Sequence, residues 1–434
     1  MLYRYRQSIY KLTEMLRALQ ANSESMALLF ELQAALLTRI KRTDARIAML
    51  KTKRKSLIQL KKSGQAKDQS TLTKRAIAAT DESIAAAQQL LFLWRCFGDG
   101  IAFIYVNKQA LKHMLFNTHD YDVKPAAGAM LGKAGLRKEW SILKLILSKD
   151  IPAVLSDLTN TIRHGDICVL IGPDPFPIEV KTSKNRNARV DRQLASLGAL
   201  NSFLQTDAAT DFRGLDHVVR LEIPVPERNH AEAVNECIAR SRETGFAAMS
   251  PEPGLTYVCA RSADAIPQLG PLMRPKTILN ILNEMKSSAA WMPYFPFSLS
   301  IRHKEDLYEF MNGDINLMIL LDAQAVVDAY AAHGLAATFV DHPQVMLVIT
   351  KPGAVRGEDP LGGISTGYFA RLFYDFETIQ SFIDTGLAQN EYLETPSADL
   401  AERFGAVHKE PENPMLVEWP EFKPMVWPDP MPRS

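Results

Sequence analysis

Residues 165–181 read GDICVLIGPDPFPIEVK, and this stretch decides the fold of the middle of the chain. Apolar residues dominate 167–171 and recur in 177–181, while the segment between them carries a glycine and prolines. Short apolar runs bounded by such residues are typical of strands joined by a tight reversal. The pattern therefore predicts an antiparallel hairpin of two short strands.

The predicted hairpin would bring charged side chains together. With the reversal centred near Asp174, antiparallel pairing places the start of the first strand beside the end of the second, so Asp166 is expected close to Glu179 and Lys181. Two carboxylates can hold a hard cation such as Mg²⁺ or Mn²⁺, and a neighbouring ammonium can orient or help deprotonate a water. We therefore predict a site in which Asp166, Glu179 and the Val180 carbonyl bind metal and Lys181 assists catalysis.

This arrangement resembles the PD-(D/E)XK superfamily of restriction-endonuclease-like proteins over about residues 130–225. The superfamily core is a helix, a strand hairpin, a helix and a strand, and the resemblance implies a metal-dependent nuclease. It also implies that Gln193, on the helix after the lysine-bearing strand, contacts the substrate or supports the site. Glu139, on the preceding helix, is the best match to the carboxylate that completes the metal site.

The sequence departs from the family pattern at Gly165, where a proline is common. A literal Pro-Asp occurs at 173–174, but Glu179 follows it too closely for a strand, a turn and a return. Asp166 is therefore the preferred acid. His164 could approach a metal or a phosphate, although a lone histidine at such a position is more often a capping or packing residue.

A basic stretch after the second strand is predicted to line a nucleic-acid groove, through Lys184, Arg186, Arg189 and Arg192. The resemblance implies DNA as substrate, with RNA as the alternative. Because an uncontrolled nuclease would damage its own cell, we expect a gated effector, in defence against phage or plasmid DNA. Alternating charges on an exposed strand are ordinary, so a catalytically inactive nucleic-acid-binding or scaffold protein with the nuclease fold remains the alternative. A narrower alternative is an effector nuclease subunit that partners a short Argonaute.

The N-terminal part has the pattern of a long helical hairpin. No proline occurs from residue 6 to residue 95, and apolar residues recur at heptad-like spacing on both sides of a turn at 62–65. Gln33 and Asp44 interrupt the apolar seams, which favours pairing within the hairpin over a long parallel dimer. The glycines of Gly98-Asp99-Gly100 predict that the second helix ends there.

Basic residues crowd around the predicted turn. Between positions 39 and 75 only Asp44 and Asp68 are acidic, while the basic residues are Arg39, Lys41, Arg42, Arg46, Lys51, Lys53, Arg54, Lys55, Lys61, Lys62, Lys67, Lys74 and Arg75. The sequence is compatible with a solvated coiled-coil face and with an arm that contacts phosphates.

The remaining pattern predicts an α+β, mixed protein. Helices are expected at 136–147, 151–162 and 190–204, and a further strand at 217–223. The predicted domains are a helical hairpin (coiled coil) at 1–97, a restriction-endonuclease-like α/β nuclease domain at 98–225, a mixed α/β recognition or regulatory domain at 226–410, and an extended Pro/Trp-rich tail at 411–434.

The composition of the chain says more about its cellular location than about its binding partner. The 434 residues include 50 Lys and Arg against 49 Asp and Glu, so net charge does not indicate nucleic acid. The four cysteines lack the spacing of a zinc cluster or a disulfide framework, and no signal-like or membrane-spanning apolar run is apparent. We expect a cytoplasmic protein without a membrane partner, assembling as a homo-oligomer or hetero-complex through the hairpin or the C-terminal domain.

Overall fold

The computed structural model describes residues 2–63, 66–180, 188–220, 225–353, 360–394 and 423–427, with the backbone alone at 188–190, 289, 360–361 and 390–394. The chain is a mixed α+β protein with long N-terminal helices and several small antiparallel sheets, as predicted. Its backbone divides into two units, one of Met1–Gln205 with Ser287–Met311, and one of Thr206–Lys286 with Asn312–Ser434. The predicted boundaries at 97, 225 and 410 stay predictions.

Three helices build the N-terminal part, namely α1 (Arg6–Ala21), α2 (Met26–Lys62) and α3 (Lys67–Tyr105). The last two form the predicted hairpin, and Ile47 of α2 packs with Ala87 of α3 in its apolar seam. The first predicted helix is interrupted just before α2, where the Ser25 hydroxyl accepts a hydrogen bond from Leu28 N and caps the new helix.

The predicted helix end at Gly98-Asp99-Gly100 is wrong, because α3 runs through it. A Cβ added at Gly98 would lie 2.0 Å from the carbonyl oxygen of Leu158, and one at Gly100 would lie 2.8 Å from the Leu16 side chain. The glycines therefore permit close packing against the helix, and tertiary contact outweighs their weak helix propensity.

The middle of the chain contains two helices, a three-stranded sheet and a further helix: α4 (Lys108–His113), α5 (Leu136–Leu147), β1 (Ala153–Leu155), β2 (Ile167–Val169), β3 (Phe176–Ile178) and α6 (Ala188–Thr206). The sheet order is β1-β2-β3, with both pairs antiparallel. The predicted hairpin is β2-β3, in which Ile167 pairs with Ile178. The helix predicted at 151–162 is wrong, because its start forms β1, whose three residues are all buried, followed by a 3-10 turn at Ser156–Leu158.

The rest of the chain alternates strands and helices. In chain order these are β4 (Ala208–Phe212), β5 (Leu215–Val219), α7 (Ala231–Thr244), β6 (Phe246–Glu252), β7 (Leu255–Ala260), β8 (Thr277–Ile281), α8 (Leu282–Met285), α9 (Phe297–Ser300), α10 (Lys304–Asn312), β9 (Asn316–Asp322), α11 (Ala323–Ala332), β10 (Ala336–Phe339), β11 (Val345–Thr350), β12 (Pro360–Ser365), α12 (Thr366–Phe369), α13 (Arg371–Tyr374) and α14 (Ile379–Glu394).

The second unit is built on antiparallel sheets of order β4-β5, β6-β7-β9-β8 and β10-β11-β12. The strand predicted at 217–223 is β5, which begins earlier and pairs with β4, while 221–223 lie outside the described residues. Of the predicted tail, residues 423–427 lie extended, with Pro424 bridged to Val340 and Trp427 stacked edge-on against Phe339.

Among the described residues, no helix has the length and hydropathy needed to span a membrane. The four cysteines, Cys96, Cys168, Cys237 and Cys259, are buried and free.

Candidate active site

Three carboxylates converge on one ammonium group next to the β-sheet. Lys133 Nζ lies 2.9 Å from Glu139 Oε2, 2.9 Å from Asp157 Oδ2 and 3.0 Å from Asp166 Oδ1. We call these four residues the carboxylate cluster. Glu139 is 3% exposed, and the other three side chains are between 16% and 28% exposed, so the charges are largely removed from bulk water.

Each carboxylate comes from a different element. Glu139 lies in the first turn of α5, Asp157 lies in the 3-10 turn after β1, and Asp166 immediately precedes β2. Antiparallel pairing of β1 with β2 brings the end of one strand beside the start of the other, and Ser156 N donates to Asp166 O at 3.0 Å. The sheet thus places two of the carboxylates, and α5 supplies the third.

Asp166 is held by both of its carboxylate oxygens. While Oδ1 accepts from Lys133, Oδ2 accepts a 2.9 Å hydrogen bond from Val180 N at the end of the hairpin. The Asp166 amide also donates to Ile178 O at 2.8 Å. These bonds fix the acid against the returning strand.

Burial and the neighbouring charges of the cluster shift the pKa values of Lys133 and Glu139. Burial alone lowers the pKa of Lys133, but the carboxylates of Asp157, Glu139 and Asp166 outweigh it and hold that pKa above its usual value. Burial raises the pKa of Glu139, and the negative charges of Asp166 and Asp157 raise it further. The Lys133 ammonium group lowers the same pKa and only partly offsets this rise. Lys133 therefore stays charged at neutral pH.

Two polar residues of α2 connect the hairpin to this region. The buried amide of Gln33 donates to Ala153 O at 2.9 Å and accepts from Leu155 N at 3.0 Å, so it pairs with β1 as a neighbouring strand would. Asp44 accepts a 2.8 Å hydrogen bond from Met130 N in the loop that leads to Lys133. The two residues that interrupt the apolar seams thus hold the sheet and the loop.

Two charged residues of α3 hold the turn that carries Asp157. Arg95 Nε donates to Asp157 O at 3.1 Å. The buried carboxylate of Asp99 accepts from Asn160 N at 2.7 Å and from Thr161 N at 2.9 Å. Burial raises the pKa of Asp99, and these hydrogen bonds oppose the rise.

Glu179 has a different environment from Asp166, although continuing the β2-β3 register places the two opposite each other. Burial lowers the pKa of Lys124, and the negative charge of the Glu179 carboxylate partly offsets that decrease. Lys124 Nζ lies 3.2 Å from His164 Nδ1, and His164 Nε2 lies 2.8 Å from Phe116 O. His164 is buried and occupied by these contacts, which is the packing role and not an approach to a phosphate.

The other predicted site residues are only partly described. Lys181, Lys184 and Arg186 lie outside the described residues, and the Arg189 side chain does too, although its backbone is in α6. Arg192 and Gln193 are exposed on α6. Among the described residues, no recorded contact joins either of them to the carboxylate cluster, so their roles stay predictions.

The local sequence pattern predicts no role for Lys133 or Asp157. Asp157 lies in a segment whose spacing predicts a helix, although an acid two residues after a short apolar strand is a recognisable signal. Lys133 lies in a glycine-bearing loop, and nothing in the local pattern distinguishes it from other lysines.

The carboxylate oxygens of the cluster are the type of ligand that a hard divalent cation prefers, but they lie too far apart to coordinate one in the present arrangement. Magnesium prefers carboxylate oxygens at about 2.0–2.1 Å, and the cluster offers three carboxylates on one point. Within the part of the chain that the structure describes, no group of three or more His, Cys, Asp or Glu residues has the geometry of a metal site. The oxygens are spaced around an ammonium group, so binding a metal requires Lys133 to leave and the carboxylates to approach by roughly 1 Å.

No family model matches the chain, and no significant match was found among curated proteins or solved structures.

Proposed function

We propose that the chain is a metal-dependent nuclease that hydrolyses phosphodiester bonds of DNA. The observation that carries the proposal is the convergence of Glu139, Asp157 and Asp166 on a single point. Three largely buried carboxylates that share one ammonium retain excess negative charge, even with the Arg95 guanidinium nearby. Such an excess costs stability unless a cation is bound there, and metal sites are a common reason for it.

The resemblance to PD-(D/E)XK nucleases supports the proposal. A helix, a strand hairpin and a helix occur in that order as α5, β2-β3 and α6, and Glu139 and Asp166 meet through Lys133. The strand that follows α6 is β4, which lies in a separate two-stranded sheet with β5.

In this proposal Glu139, Asp157 and Asp166 hold the metal, with Glu179 as the further carboxylate expected from the sequence. The Val180 amide keeps Asp166 oriented. Lys181 orients the attacking water and stabilises charge that develops on the phosphate. When bound, magnesium supplies Lewis acidity toward a phosphate oxygen and lowers the pKa of a coordinated water.

A second candidate is a nuclease-fold protein that binds nucleic acid without cutting it. The observation that favours it is Lys133 itself, since an ammonium group at hydrogen-bonding distance from all three carboxylates can act as a permanent structural substitute for a metal. The two candidates differ in whether a divalent cation can displace Lys133.

Replacing Lys133 by Met tests this difference. With the charge removed, we expect the free energy of unfolding in EDTA to fall by roughly 2–4 kcal/mol, because buried carboxylates lose their cation. Manganese should then raise the melting temperature of Lys133→Met more than that of the wild type, since no ammonium competes for the carboxylates. Lys149→Met, which changes an exposed lysine just beyond α5, should leave both quantities unchanged.

A manganese-induced rise in Lys133→Met that is no larger than in the wild type would favour the second candidate. The activity itself is tested by incubating the wild type with duplex DNA, single-stranded DNA and RNA in Mg²⁺, Mn²⁺ or EDTA. Metal-dependent cutting that Glu179→Ala and Lys181→Ala remove, with folding preserved, is the result we expect. No cutting by any preparation, including one supplied with candidate partners, would overturn the nuclease.

A further inference from the structure

The tip of the α2-α3 hairpin carries an open groove of about 580 Å³ with a strongly basic lining. We call it the tip groove, and its lining residues are Lys51, Arg54, Lys55, Ile58, Gln59, Lys62, Asp81 and Ile84. The two isoleucines are half-buried between the helices, while the three lysines are exposed. The groove therefore has a half-buried apolar floor and an exposed cationic rim.

The positive charge of this region is only partly neutralised by nearby acids. Of the two acidic residues between positions 39 and 75, Asp44 is buried and accepts from Met130 N, which removes it from the surface. Among the described residues of the tip, Arg54 forms an ion pair with Asp81. Solvated coiled-coil faces ordinarily carry interspersed charges of both signs, whereas the lining of the tip groove has four basic residues and one acid, Asp81.

The spacing of the lysines suits a phosphate backbone. Lys51, Lys55 and Lys62 lie at steps of four and seven residues, which keeps them on one side of α2 over about 16 Å. Successive phosphates of a DNA strand are about 3.4 Å apart along the duplex axis, so the row spans about five base pairs.

The continuous helix α2 links the tip groove to the carboxylate cluster. Gln33 binds β1, whose end leads directly into the turn of Asp157. Asp44 of the same helix bonds the loop that leads to Lys133. Lys55 follows Gln33 by 22 residues and Asp44 by 11 residues, which are distances of about 33 Å and about 16 Å along the helix. These two contacts therefore lie between about half a turn and one turn of B-form DNA from Lys55, since one turn is about 34 Å.

We propose that the tip groove binds the phosphate backbone of double-stranded DNA, independently of base sequence. The choice of DNA rests on the proposed function, whereas the affinity for a polyanionic backbone rests on the groove. An anionic membrane surface is the competing ligand, since Leu60 and Leu72 are exposed near the tip. It fits less well, because membrane-binding helices commonly also place aromatic residues beside their cations, and no aromatic residue occurs between positions 31 and 91.

The test measures binding of a fluorescent DNA duplex of about 30 base pairs, or roughly 100 Å. Fluorescence anisotropy is the readout, and EDTA is present so that no metal-dependent cutting interferes. The triple variant Lys51→Gln, Lys55→Gln, Lys62→Gln is compared with the matched control Lys11→Gln, Lys351→Gln, Lys423→Gln, which removes the same charge from exposed lysines elsewhere. Glutamine has a helix propensity close to that of lysine, so the hairpin should be preserved, as circular dichroism would check.

We expect the tip variant to bind at least about tenfold more weakly near 0.1 M salt, and its slope of log affinity against log salt to be smaller by about 2 to 3. The control variant should bind like the wild type, and replacing the same three tip lysines by arginine should restore binding. Equal affinity of tip variant and wild type, an equal loss in the control, or loss of binding to anionic vesicles without loss of DNA binding would each overturn the inference.

These outcomes are separable from those of the nuclease proposal. Binding through the groove without any cutting would remove the nuclease and leave the inference standing. If the wild type cuts DNA and the tip variant binds DNA as tightly as the wild type, the nuclease proposal stands and the groove inference is overturned.

Discussion

Asp166→Asn should lower the rate of metal-dependent DNA cleavage by at least about a hundredfold, because mutation of residues that merely support metal ligands already costs 10–100-fold. Asparagine removes the negative charge that a divalent cation requires. It also removes one of the two acceptor oxygens that now serve Lys133 and Val180 N, so the side chain can satisfy only one of these donors. The rate of cutting of a labelled duplex in Mg²⁺ and in Mn²⁺ measures the effect.

Asp174→Asn is the matched control for this prediction. It makes the same chemical change in the same hairpin, at the literal Pro-Asp that the sequence offers as the competing acid. We expect it to cut like the wild type, with both variants giving the wild-type circular dichroism spectrum. Inactive Asp174→Asn beside active Asp166→Asn would show that the metal site is assigned to the wrong acid.

Gly98→Ala should cause the largest loss of stability among small substitutions in α3. The new Cβ would lie 2.0 Å from the carbonyl oxygen and 2.7 Å from the carbonyl carbon of Leu158, and backbone atoms cannot rotate away as a side chain can. The helix and the 156–161 turn must therefore separate, which strains the hydrogen bond that Asn160 N donates to Asp99 Oδ1. We expect a cost of about 3 kcal/mol or more in the free energy of unfolding.

Thermal and urea unfolding measure this cost, with Gly198→Ala as the control. Gly198 lies within α6, where an added Cβ meets nothing within 4 Å, so alanine should be neutral or stabilising by up to about 1 kcal/mol. Because the separated turn carries Asp157, Gly98→Ala should also lower the manganese-induced rise in melting temperature. A Gly98→Ala protein as stable as Gly198→Ala would show that α3 does not pack on the turn in this way.

Local pattern was sufficient for the elements whose residues interact mainly with their chain neighbours. The β2-β3 hairpin follows from two apolar runs around a Pro-rich reversal, and α5 was predicted with its observed bounds from its apolar periodicity. Both signals are short-range, since a turn and a helical face are defined within a few residues. The same reasoning placed Asp166 at the start of a strand and Glu139 on the helix before it.

The sequence by itself determined the long helical hairpin, its basic tip and the strand hairpin that carries Asp166. The tertiary structure decided that α3 continues through Gly98, that Gln33 completes the edge of β1, and that Lys133 and Asp157 join the carboxylate cluster. The physical reason is that each of these features depends on a partner distant in the chain. A glycine predicts the end of a helix, and only the tertiary structure shows that a carbonyl group packs against Gly98. A buried amide or an isolated lysine, likewise, has no assigned role until its hydrogen-bond partners are known.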